Sequence, residues 1–132
     1  MAGGDEFQAV EDLIRSRGGF GHREHLELAY TYLGRGTLTG AQKRMAAAIR
    51  HVAQMHGMPD RYHDTITRSW VQLVSVHRRH STAGSFAEFI AENPGLLDRH
   101  LLEHHYSPEL LGSAGARQSW TEPDLIRLPA AA

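Results

Sequence analysis

The stretch Tyr62-His63-Asp64-Thr65-Ile66-Thr67-Arg68-Ser69-Trp70-Val71-Gln72-Leu73-Val74-Ser75-Val76-His77 carries most of the architectural information in this chain. Wound on a helix at about 100° per residue, it places His63, Ile66, Trp70, Leu73 and His77 on one stripe. Asp60, directly after Pro59, reads as an N-cap, which predicts a helix over about 60–80. Two more helices precede it. Gly21 to Leu33 carries His22, His25, Leu26, Ala29 and Leu33 on one face and stops at Gly34. Thr39 to His56 opens on a Thr39–Gln42 capping box, shows Met45, Ile49, Val52 and His56 on its stripe, and ends at Gly57.

On the N-terminal side, Phe7, Val10, Leu13 and Ile14 mark a short amphipathic helix over about 5–16. On the C-terminal side, Ser85 with Glu88 caps a short helix that ends before Pro94. Short helices over about 96–104, 108–111 (capped by Ser107) and 114–120 follow. No segment alternates like a strand. The loops between the three long helices are short, so neighbours run antiparallel. The expectation is an all-α, up-down helical bundle in a single domain over 1–132. Short C-terminal helices pack across it, residues 1–4 are disordered, and 121–132 form an extended tail.

Composition narrows the function. Lys plus Arg number 14 against 15 for Asp plus Glu, a net charge of −1, which argues against nucleic acid or a membrane surface as partner. No apolar run approaches the roughly 18 residues a membrane helix needs. The start is acidic and lacks an apolar leader core, so a cytoplasmic location is expected. The absence of cysteine removes disulfides, thiolate metal sites and a cysteine nucleophile. Ten histidines in 132 residues stand out.

The antiparallel topology gathers four of them. The start of the 21–33 helix, the end of the 39–56 helix and the start of the 60–80 helix share one end of the bundle, which collects His22, His25, His56 and His63. His77 lies about 21 Å farther along its helix. His22, His25 and His63 fall at one depth. His56 sits at the rim as a fourth ligand or an outer group. Neutral imidazoles suit copper, iron, nickel or zinc, and three protein ligands leave a coordination position open. The expectation is a small metalloenzyme with one divalent transition metal (copper or iron, alternatively zinc) acting on a small organic molecule. A redox metal would activate dioxygen; zinc would polarise a carbonyl or deliver hydroxide. The absence of an inward carboxylate base favours oxidation.

Tyr62 and Asp64, flanking His63, are candidate catalytic groups. Tyr62 is placed to donate to a substrate or to pack, whereas Asp64 in a first helical turn also suits the helix dipole. Glu24 points to solvent, and a metalloprotease motif needs histidines at i and i+4. Three alternatives stay open: hydrogen-bonded core histidines, a non-catalytic metal- or ligand-binding module, and a metal-free interaction protein. His100, His104 and His105 form a second cluster near a surface turn. A homodimer that hides apolar helix faces also stays open.

With Phe20-Gly21-His22-Arg23-Glu24-His25-Leu26 and Tyr62 to Trp70 in view, the chain resembles a group of small bacterial all-helical proteins. Their pattern is F-x-H-x-x-H-L, then Y-H-[DE]-T-I-T-x-x-W, then a tyrosine–serine step, here Tyr106-Ser107, and a proline-bearing tail with Pro123-Asp124. The resemblance implies an all-helical fold and points to the same three histidines. It supplies no reaction.

Overall fold

A computed structural model describes residues 7–130. The expected disorder of residues 1–4 lies outside them. The helices are α1 (Gln8–Arg17), α2 (His22–Leu33), α3 (Leu38–Met55), α4 (Asp64–Arg79), α5 (Phe86–Glu92), α6 (Pro108–Leu111) and α7 (Ala114–Gln118). Single 3₁₀ turns span Pro59–Arg61, Pro94–Leu97 and Leu101–His104. No strand occurs among the described residues, so the class is all-α. Helices α2, α3 and α4 pack on one another as a bundle, α1 lies on α2, and α7 lies on α4. Leu26, Leu28, Ala29, Met45, Ala48, Val71 and Leu73 fill the space between them.

Two helix starts and the placement of one first-turn side chain differ from expectation, each for a local reason. Helix α3 is capped by Thr37, in extended conformation, whose Oγ1 accepts from the Gly40 amide at 3.0 Å. Thr39 falls inside the first turn. Helix α2 starts after Gly21, which has no side chain to cap with; Glu24 reaches back instead and accepts from the Gly21 amide at 2.7 Å. That is half of a capping box, and it holds Glu24 half-buried rather than free in solvent.

The third difference matters most. Asp60 lies in the Pro59–Arg61 3₁₀ turn, and α4 starts only at Asp64. Its N-cap is His63, in extended conformation, whose Nδ1 accepts from the Ile66 amide at 3.1 Å. Nδ1 stands as far from the backbone as the side-chain oxygen of asparagine, so the ring does an asparagine's work. His63 therefore belongs to the entry of α4, not to its buried stripe.

The 96–104 segment is two 3₁₀ turns rather than one helix. Asp98 interrupts it by accepting from the His100 amide at 3.0 Å. Beyond α7, residues 121–130 form no helix, and they are tied down along their length. Thr65 Oγ1 donates to the Ser119 carbonyl at 2.9 Å and accepts from the Thr121 amide at 3.1 Å. The Tyr106 hydroxyl, fully buried, donates to the Thr121 carbonyl at 2.6 Å. Asp124 accepts from both the amide and the hydroxyl of Ser107. This strap covers the side of α4 that bears Thr65 and Ser69, which explains why polar residues there are buried.

Tyr106→Phe strands the Thr121 carbonyl beneath the strap. We expect a loss of about 1–3 kcal/mol in urea unfolding. An unchanged midpoint and slope would show that the Tyr106–Thr121 hydrogen bond contributes nothing to stability.

Candidate functional site

Toward one end of the bundle, the first turn of α2, the middle of α3 and the first turns of α4 line a cavity of about 440 Å³. His22, His25 and His63 all line it, together with an apolar floor of Met45, Ile49, Ile66 and Trp70. Arg61, Arg99 and His100 form its exposed rim. A second cleft of about 460 Å³ lies against it, sharing His25, Ile49 and Arg61 as a common wall. Phe20, Val52, Ala53, His56, Met58 and Tyr62 complete the second cleft.

The hydrogen bonds fix what each imidazole can do. A carbonyl only accepts, so a ring nitrogen facing one carries the proton. His22 donates from Nε2 to the Leu96 carbonyl at 2.8 Å and sets its ring edge-on to Trp70, with centroids 4.5 Å apart. His25 donates from Nδ1 to the Gly21 carbonyl at 2.8 Å and leans on Phe20. Burial pushes the His25 pKa down, which keeps the ring neutral at neutral pH. These bonds leave His22 Nδ1 and His25 Nε2 to meet a ligand.

His63 is committed on both sides. Nδ1 caps α4, and Nε2 donates to the Leu111 carbonyl at 2.7 Å. The residue is 7% exposed, and burial lowers its pKa. Neither nitrogen has a lone pair to spare for an ion unless one of these bonds is given up. His56 is exposed and lines the second cleft with His25, apart from His22 and His63. Among the described residues no group of three or more His, Cys, Asp or Glu side chains is arranged to hold a metal ion.

Tyr62 and Asp64 turn toward each other. The Tyr62 hydroxyl donates to Asp64 Oδ1 at 2.5 Å, and Arg68 Nε donates to Oδ2 at 2.9 Å. Arg50 lies over the Tyr62 ring at 4.5 Å. The Asp64 carboxylate is buried in this brace and lines neither cleft. Burial, then the Asp64 hydrogen bond, pushes the Tyr62 phenol well above its ordinary pKa. It remains a hydrogen-bond donor, and its partner is Asp64.

The C-terminal histidines separate. His100 joins the cavity rim, with Nδ1 2.6 Å from Glu103, while His105 donates to the Ile126 carbonyl inside the strap. The rim guanidiniums of Arg61 and Arg99 escape sequence reasoning. Both lie in short connecting segments whose docking onto the bundle has no periodic signature. No carboxylate is among the described residues lining either cleft. No protein-family model, curated protein or solved structure matches the chain.

The buried rings give stability a sign in pH. Free histidine titrates near about 6.5. Below that pH the unfolded chain takes up protons that folded His25 and His63 refuse, so stability falls as pH drops toward their lowered folded values. Thermal unfolding between pH 7 and 5.5 should show this slope. His63→Asn, which can still cap α4, should flatten it; an identical slope in the variant would rule out His63 as a source.

Proposed function

We propose that this chain binds a small organic anion, a carboxylate- or phosphate-bearing molecule, in the cavity at the histidine end of the bundle. One observation carries the reading: the guanidiniums of Arg61 and Arg99 stand at the rim of a cavity with an apolar floor, and no carboxylate is among its described lining residues. In a chain with 14 basic and 15 acidic side chains, such local segregation of charge is informative. Guanidinium forks pair with carboxylate and phosphate oxygens. An apolar body with a few converging polar groups is the usual make-up of a small-molecule site. His22 and His25, each with one N–H anchored to a carbonyl, keep a ring nitrogen that accepts, which suits a hydroxyl elsewhere on the ligand and leaves the anionic oxygens to Arg61 and Arg99.

The metalloenzyme reading stays second: one divalent ion, copper or iron for oxidation or zinc as a Lewis acid, near His22 and His25. One observation favours it. Each ring donates its other N–H to a backbone carbonyl, the arrangement that orients metal-bound histidines. It requires His63 to give up its cap or its bond to Leu111, and it places a cation beside Arg61 and Arg99.

Trp70 lines the cavity and reports on binding. With chelator present, benzoate and inorganic phosphate should titrate its fluorescence saturably. Loss of one charge-assisted pair, in Arg61→Gln or Arg99→Gln, should weaken binding about tenfold or more. Absence of saturable binding by either anion would overturn the anion reading. Elemental analysis of untagged protein tests the second reading: it requires metal in the wild type and its loss in His22→Ala and His25→Ala.

A further inference from the structure

We infer that the two clefts act as one site for an amphiphile, an anionic head group carrying an unbranched hydrocarbon chain. The inference rests on the anion reading above and names the ligand class. The two clefts are neighbours that share His25, Ile49 and Arg61, so a ligand reaching over these three side chains touches both. They differ in character. The first has the rim of Arg61, Arg99 and His100. The second sets Phe20, Ile49, Val52, Ala53 and Met58 beside the polar groups of His25, His56 and Tyr62, with the Arg61 guanidinium at the junction.

The second cleft also leaves apolar surface uncovered. Met58, in its wall, is 47% exposed. Gly57, at φ 69°, turns the chain just past α3, and the Met58 amide then donates to the Ala53 carbonyl at 2.8 Å. This hydrogen bond fixes the backbone of Met58 against the end of α3, where the residue lines the cleft. Methionine is flexible and polarisable, suited to a chain of variable length. With the head group against Arg61 and Arg99, a chain passing over Ile49 toward Val52 and Met58 meets apolar atoms along its course. It covers the methionine left open to water. A compact anion such as phosphate fills only the first cavity and leaves that surface exposed.

The test is a chain-length series of carboxylates (acetate, butyrate, hexanoate, octanoate) below their aggregation limits, measured by calorimetry on wild type, Met58→Gln, Met58→Leu and Arg61→Gln. Affinity should rise about threefold per methylene from butyrate to octanoate. Met58→Gln should reduce that gain while leaving butyrate unchanged, and Met58→Leu should restore it. Arg61→Gln should weaken all lengths alike. If affinity is flat with chain length but still sensitive to Arg61→Gln, the amphiphile inference falls and the anion reading stands. A chain-length gain that persists unchanged in Met58→Gln overturns the proposed route. If no carboxylate binds, and benzoate and phosphate also fail, the anion reading itself falls.

Discussion

The His63 imidazole sits between a 3₁₀ turn and a long helix and is bonded on both edges. One nitrogen accepts the Ile66 amide and so sets where α4 starts. The other donates to the Leu111 carbonyl and so fastens the end of α6 to that start. Only the neutral ring in one tautomer can do both. Protonation would put a second N–H against the Ile66 amide, two donors facing each other, and would strand a buried helix-end donor. Burial lowers the ring's pKa in the same direction, so the geometry and the electrostatics agree on the neutral form.

The candidate site follows from that anchorage. Once α4 starts at Asp64, Tyr62 and Asp64 close on each other and on Arg68, and the Pro59–Arg61 turn is left at the mouth of the bundle with Arg61 on the rim. Arg117 reinforces the same turn by donating to the Asp60 carbonyl at 3.0 Å. On the opposite side, the Leu96 carbonyl holds His22, so the Pro94–Leu97 turn and the neighbouring Arg99 are drawn over the cavity. The charge at the mouth is thus set by backbone-anchored turns rather than by long side chains chosen for the purpose. The buried carboxylate of Asp64 stays outside. That placement is what the proposed anion site rests on.

Helical period and topology were legible in the sequence. The apolar stripes located α2, α3 and α4, and antiparallel connection correctly drew the start of α2, the end of α3 and the start of α4 together. Capping was less legible. Thr37 and Thr39 offer the same side chain two residues apart, and only the backbone conformation chooses between them. Asp60 is the better N-cap by residue type, yet the Pro59 turn occupies it, and the role passes to a histidine that cap preferences rank low. The stripe arithmetic also treated His63 as helical, which hid that both its nitrogens have backbone partners. Those partners come from residues 66 and 111, and a bond across 48 positions leaves no periodic trace. The strap was missed for the same reason: Thr65, Ser69 and Tyr106 look like ordinary surface or core residues until the tail lies over them.

Nitrogen NMR of the histidine rings tests the central claim most directly, because it reads tautomers without any ligand. At neutral pH, His63 and His22 should carry the proton on Nε2 and His25 on Nδ1, with His63 Nδ1 shifted as a hydrogen-bond acceptor. A His63 that is doubly protonated, or that carries its proton on Nδ1, would contradict the anchorage on which the candidate site is built.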